Sequence, residues 1–130
     1  PDEIADAGFP VAIGPSFGTA TKPELKNKTF ETAGILDRAG CQVSIITDAP
    51  ATPQEFLPLM AGLCVRAGMD PFHALQAVTI NPARHLGIED RVGSLEIGKD
   101  ADIVLADGDM LLSSTRVLAV IVNGVKVYKE

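Results

Sequence analysis

"TFETAGILDRAGCQVSIITDAP" occupies residues 29–50 and decides the fold. Thr29 can cap a helix, with Glu31 or Thr32 in its first turn, and Gly40 suits the point where that helix stops. "CQVSIIT" (41–47) then has the apolar, β-branched make-up of a buried strand. Upstream, "FPVAIGP" (9–15) is a second short apolar run bounded by Pro and Gly. A long polar loop, "SFGTATKPELKNKTF" (16–30), separates it from the helix. Strand, loop, helix and strand within about thirty residues is the size of a βαβ unit. Two parallel strands with a crossover helix are therefore expected.

The flanks extend this pattern. Residues 1–8 read as the tail of a helix, with Gly8 at its C-terminal cap. The absence of an initiating Met and this helical start point to a longer protein that has been cut. After Asp48, "TPQEFLPLMAGLCVRAG" (52–68) opens on a Thr-Pro start signal and Glu55, and its apolar residues have helical spacing. "DPFHALQAVTI" starts a further helix, with Asp70 as cap and Pro71 in the first turn. "NPARHLGI" repeats the logic, with Asn81 expected to cap, Pro82 to start and Gly87 to stop. From about residue 88 the character becomes β-rich. Asn123-Gly124, between "VLAVIV" and "VKVY", is a strong two-residue hairpin signal. A boundary is placed near residue 88, with an α/β piece over 1–87 and a small antiparallel piece over 88–130.

Bulk properties exclude several functions. The chain has 130 residues, 46% of them hydrophobic, which supports a globular core. Its formal net charge of −6 and the lack of a basic cluster argue against nucleic acid or an anionic membrane as partner. No apolar run reaches the length of a membrane span, and no signal-peptide pattern opens the chain. Cys41 and Cys64 lie in apolar contexts without basic neighbours, so free buried thiols in a reducing cytoplasm are expected.

Chemistry in parallel α/β folds gathers at the carboxyl ends of strands, and Asp48 stands at such an end. A carboxylate there can ligate a divalent metal, act as a general base, or do both. The competing role is a turn aspartate that holds the Asp-Ala-Pro corner. Ser16, Thr19 and Thr21, in the loop after the first strand, can line a substrate pocket if that loop faces the same side. His73 and His85 lack a ligand partner at helical or strand spacing and are read as structural. Asp100 and Asp102 in "GKDAD" have metal-like spacing, but their place between a Gly turn and a strand favours turn and strand-entry roles. "GPSFG" lacks the Lys-Ser/Thr and helix that phosphate binding would need.

"IITDAPATP" (45–53), "TINPARHLGIEDRVGSLEIGKDADIVLADGDML" (79–111) and "VIVNGVKVY" (120–128) together resemble the C-terminal portion of a metal-dependent amidohydrolase, in particular the imidazolonepropionase-like members. The resemblance runs from about residue 9 to the end, and "GSLEIGKDADIVLAD" is its most specific block. It implies a (β/α)8 barrel with the metal site at the strand C-termini. Val11–Gly14 would be its seventh strand, Val43–Thr47 its eighth, and residues 88–130 part of the flanking β-sandwich. It also implies that Asp48 matches the Asp that ends the eighth strand, binds metal and handles the proton of the attacking water. Zinc is the family default, with iron or another divalent ion as the alternative.

The departures are as informative. The family's His-x-His after the first strand is absent, as are the ligands of strands four to six. Ala49 stands where many relatives carry His. One Asp does not hold a catalytic metal. The expectation is an α/β chain that supplies the last two βα units of the barrel and part of the sandwich. The intact parent would be a metal-dependent hydrolase of C–N bonds acting on a small molecule. This chain by itself is expected to be inactive and without bound metal. The alternative is a stand-alone, non-catalytic half-barrel module. A homo-oligomer is expected in both cases, because a part-barrel exposes strand edges and an apolar face.

Overall fold

The computed structural model describes residues 1–14, 16–17 and 23–129. Helix α1 (Asp2–Ala7) ends on Gly8, whose φ of 70° is the left-handed cap expected of glycine there. Strand β1 (Val11–Ile13), helix α2 (Glu31–Arg38) and strand β2 (Val43–Ile45) follow, and the two strands pair in parallel with Val11 opposite Val43 and Ile13 opposite Ile45. The βαβ unit is thus present, although each strand is only three residues long. Thr29 does not occupy the cap position of α2, which falls on Phe30. Its hydroxyl instead accepts a hydrogen bond from the Glu31 amide at 3.3 Å.

Helix α2 covers β2 with Ala33, Gly34 and Leu36, all buried. Gly34 has a packing reason: a Cβ there would press on the backbone of Met69 at 3.1 Å. Arg38 adds a hydrogen bond from Nη1 to the Gly68 carbonyl at 2.9 Å. The turn between the next two helices is thereby held against the crossover helix.

Three short helices follow as expected: α3 (Leu57–Arg66), α4 (Pro71–Gln76) and α5 (Ile80–Leu86). Pro53 opens a single 3-10 turn over Gln54–Phe56, and α3 begins after it. Asp70 caps α4 as its sequence suggests, accepting from the Phe72 and His73 amides. Asn81 does not cap α5. Thr79 holds that position and Asn81 lies inside the helix, where its side-chain amide donates to the Val43 carbonyl at 2.8 Å. A residue able to satisfy a strand carbonyl has been drawn away from the local capping role by a tertiary partner.

Residues 88–102 form turns rather than strands. The antiparallel sheet starts at β3 (Ile103–Ala106) and continues through β4 (Val117–Val122) and β5 (Val125–Lys129), in the order β3-β4-β5. Asn123 and Gly124 both have positive φ, 49° and 74°, so the Asn-Gly hairpin forms as expected. Asp102 braces that turn by accepting the Asn123 amide at 2.8 Å, and Asp100 pairs with Arg91 at 2.6 Å. Both aspartates therefore do turn work. Asp107 accepts the Arg116 amide and guanidinium, and these bonds hold its carboxyl below the usual aspartate range.

The buried core joins α2, β2, α3 and α4, and among the described residues it reaches the later part of the chain at Leu111. At that junction Gly62 of α3 lies so close to Leu111 that a Cβ would overlap its carbonyl oxygen.

Candidate active site at the carboxyl end of the parallel strands

Parallel pairing sends the carboxyl ends of β1 and β2 to the same side of the sheet. Gly14 and Ile46 lie at that end, and the Ile46 amide donates to the Ile13 carbonyl at 2.9 Å. Gly14 has φ 145°, and a Cβ there would overlap the Ile46 carbonyl oxygen, so only glycine permits this close approach. Ser16 and Asp48 each lie three residues beyond the paired residues Ile13 and Ile45. Lys28 ties down the segment after β1 by donating to the Phe17 carbonyl at 2.7 Å. Phe17 also meets Phe30 edge-on, with ring centroids 5.3 Å apart.

Burial alternates along the end of β2. Ile45 and Thr47 are buried, while Ile46 and Asp48 are exposed. Val43, Ile45 and Thr47 thus face the helices, and the other face is open at its carboxyl end. Asp48 adopts φ 52°, uncommon for a residue with a side chain. Its carbonyl accepts the Ala51 amide at 2.8 Å and closes a turn that contains the cis Ala49–Pro50 peptide. The turn is therefore made by the backbone of Asp48. Among the described residues, no hydrogen bond to its carboxylate is found. Ser16 is partly buried at the neighbouring strand end. Thr19 and Thr21 lie outside the described residues.

The other titratable groups are placed elsewhere. His73 pairs with Asp37 at 2.9 Å on the outer helical surface, and that hydrogen bond and charge raise its pKa. Burial pushes the Cys64 thiol up to about 11, and both cysteines are free and buried, so neither is set up as a nucleophile. Among the described residues, no three His, Cys, Asp or Glu side chains come together as a metal site. Asp48 alone does not make a metal centre. A shallow cleft of about 380 Å³ lies between α5 and the 89–99 turns, lined by Arg84, Glu96 and Lys99 among others, and Asp48 is not part of it.

One arrangement escaped the sequence. Ser44, nearly fully buried, shares a 2.9 Å hydrogen bond with His85 Nδ1 across 41 positions. The signal available was a serine in an otherwise apolar strand.

A parallel βα layer with an exposed acid at a strand's carboxyl end is the arrangement of an α/β enzyme. The comparisons with known proteins supply the family. The amidohydrolase family model matches residues 17–127, and the chain belongs to that family. It is similar to imidazolonepropionase of Geobacillus sp. (strain WCH70), 42% identical over 86 residues that make up 64% of this chain and 20% of that protein. The imidazolonepropionase of Brevibacillus brevis is 37% identical over 82% of this chain and 24% of its own length. Among solved structures, an amidohydrolase from Thermotoga maritima MSB8 superposes with a TM-score of 0.93 at 37% identity, over 99% of this chain and 34% of that one. The chain thus spans about a fifth to a quarter of the curated relatives it matches. Among the described residues, no helix is long and apolar enough to cross a membrane.

Proposed function

We propose that this chain is the C-terminal segment of a metal-dependent amidohydrolase that hydrolyses C–N bonds in a small cyclic or linear amide. Residues 1–87 supply the last two βα units of its (β/α)8 barrel, and residues 88–130 part of the flanking β-sandwich. The observation that carries this reading is Asp48, exposed where the two parallel strands end together in a chain of this family. Asp48 is the acid that takes a proton from the attacking water and returns it to the leaving nitrogen. In the whole enzyme it is also a ligand of the divalent metal, zinc by default, together with residues this chain does not supply. Ser16, Thr19 and Thr21 contribute to the substrate pocket. Imidazolonepropionate is the first substrate to test, after the names of the relatives. The two free buried thiols fit a reducing cytoplasm.

Expression of the complete native gene, with intact mass and imidazolonepropionate turnover as readouts, tests the proposal. A product roughly three times this chain's mass is expected, since 99% of this chain covers 34% of one relative and 64% of it covers 20% of another. Asp48→Asn in that product should lower kcat at least about a hundredfold. The 130-residue chain alone should show no metal-dependent hydrolysis. Wild-type turnover by Asp48→Asn would remove the proposed role.

A second reading is favoured by the antiparallel sheet. Val104, Leu118, Val122, Val125 and Tyr128 are all exposed, and apolar surface of this kind marks an association face. In that reading the chain is a non-catalytic module that works by self-association or with a partner. A native gene product of this chain's own mass that elutes as a homo-oligomer would support it.

A further inference from the structure

β2 has two edges, and this chain makes hydrogen bonds on both. On one side Val11 donates to Gln42 and Ile46 donates to Ile13, so Gln42 and Ile46 turn their backbone groups toward β1. Val43 and Ile45, one step out of phase, turn theirs to the opposite edge. There the Val43 carbonyl accepts Asn81 Nδ2 at 2.8 Å, and the Ile45 amide donates to the Ala77 carbonyl at 2.9 Å. The end of α4 and the first turn of α5 thus satisfy two backbone groups on the edge of β2 away from β1.

The open face of β2 is treated the same way along half its length. Ser44 lies on the same face as Ile46, yet Ser44 is 1% exposed and Ile46 is 37% exposed. His85 is the side chain that meets Ser44 there, sharing a 2.9 Å hydrogen bond between Nδ1 and the hydroxyl. Helix α5 therefore grips β2 at two consecutive residues, Val43 by the backbone and Ser44 by the side chain. Farther along that face, Ile46 and Asp48 stay exposed. His85 Nε2 is buried and has no hydrogen-bond partner among the described residues. A buried unpaired nitrogen is a cost that packing alone does not require. The half of the ring that is used is Nδ1, on Ser44.

We infer that Asn81 and His85 are positioning residues for Asp48: they lock the amino half of β2 so that its carboxyl end presents the acid in one place. The inference rests on the proposed role of Asp48 and extends it to residues more than thirty positions away in sequence. Positioning of this kind affects turnover more than substrate binding, because small displacements of a reacting group cost rate.

The test uses the full-length product of the native gene with Asn81→Ala, His85→Leu, His85→Asn and Asp48→Asn. Two readouts are taken: hydrogen exchange of the peptide over residues 46–52, and kcat and KM with imidazolonepropionate. Asn81→Ala and His85→Leu should raise exchange in that peptide about tenfold and lower kcat about tenfold, with KM within about threefold. His85→Asn places an amide atom near the Nδ1 position and omits Nε2, so it should keep both readouts near wild type. Unchanged exchange over 46–52 in Asn81→Ala and His85→Leu would overturn the inference, even if both variants melt earlier. Asn81→Ala against His85→Asn decides the matter if His85→Leu does not fold. Asp48→Asn separates the two ideas. Dead Asp48→Asn with undisturbed Asn81→Ala and His85→Leu rejects positioning alone, whereas active Asp48→Asn rejects the acid and the positioning with it.

Discussion

The parallel pair β1–β2 and the antiparallel sheet β3-β4-β5 are held in different ways. Every residue of β2 is buried, whereas every residue of β5 is exposed. β2 is formed by helices packing on it from non-local positions. β5 is formed by a hairpin whose instructions lie within a few residues of Asn123-Gly124. The difference teaches where each region is vulnerable. Packing substitutions should damage the first region, and turn and pairing substitutions the second.

The largest expected effect breaks the parallel pair. Gly14→Ala adds a Cβ that overlaps the Ile46 carbonyl at a positive φ, and should cost about 4 kcal/mol or more. Urea denaturation should show most of the stability of a small domain gone, and an unchanged midpoint would contradict the close approach of the two strand ends. A matched pair then sharpens the contrast between the regions. Met60, 1% exposed in the helical core, should lose about 3 kcal/mol on Met60→Ala. Val127→Ala, at a residue 60% exposed on β5, should lose less than about 0.5 kcal/mol. Equal losses would mean that β5 is covered by a partner in solution.

The junction between the regions comes next. Gly62→Ala should cost about 2 kcal/mol by forcing α3 away from Leu111. Hydrogen exchange should show the 109–112 segment released while the β4–β5 hairpin stays protected. Loss of hairpin protection as well would mean that the two regions fold as one unit.

The smallest effect is a pH dependence at the helical surface. The Asp37 hydrogen bond and charge raise the pKa of His73, with a smaller contribution from Asp70. The folded state therefore holds the proton more tightly than the unfolded state. The resulting stability is fully present below the ordinary histidine value and is lost as pH rises through the raised one. His73 is half exposed, so solvent screening keeps the effect well under about 1 kcal/mol. Asp37→Asn should abolish that part of the pH dependence, which thermal melts on either side of neutrality can measure.

Much of the fold was legible because its signals are local. Gly8 and Gly87 stop helices with left-handed φ, Asp70 caps α4, and Asn123-Gly124 turns the hairpin. Each depends on the conformational freedom or side-chain reach of one or two residues. The misreadings occurred where a distant partner outbid a local one. Asn81 looks like a cap in "NPARHLG", yet Val43 takes its amide across 38 positions. The segment after residue 88 carries strand-forming residues, but turns held by Arg91–Asp100 and Ser94–Glu96 delay the first strand to Ile103. At the candidate site, the acid and its place at a strand end could be read from "SIITDAP". Its exposure, the register that pairs Ile13 with Ile45, and the grip of α5 on β2 could not.

The sequence by itself determined the βαβ order, the glycine stops of the helices, the Asp70 cap, the hairpin turn and the place of Asp48 just after a strand, because these follow from periodicity, backbone preference and residue type within short windows. Only the tertiary structure decided that Asn81 and His85 grip the strand bearing Asp48 and that Gly14 and Gly62 are points of closest approach. Those facts depend on which surfaces meet, and contacts between residues far apart in the chain leave no periodic trace in it.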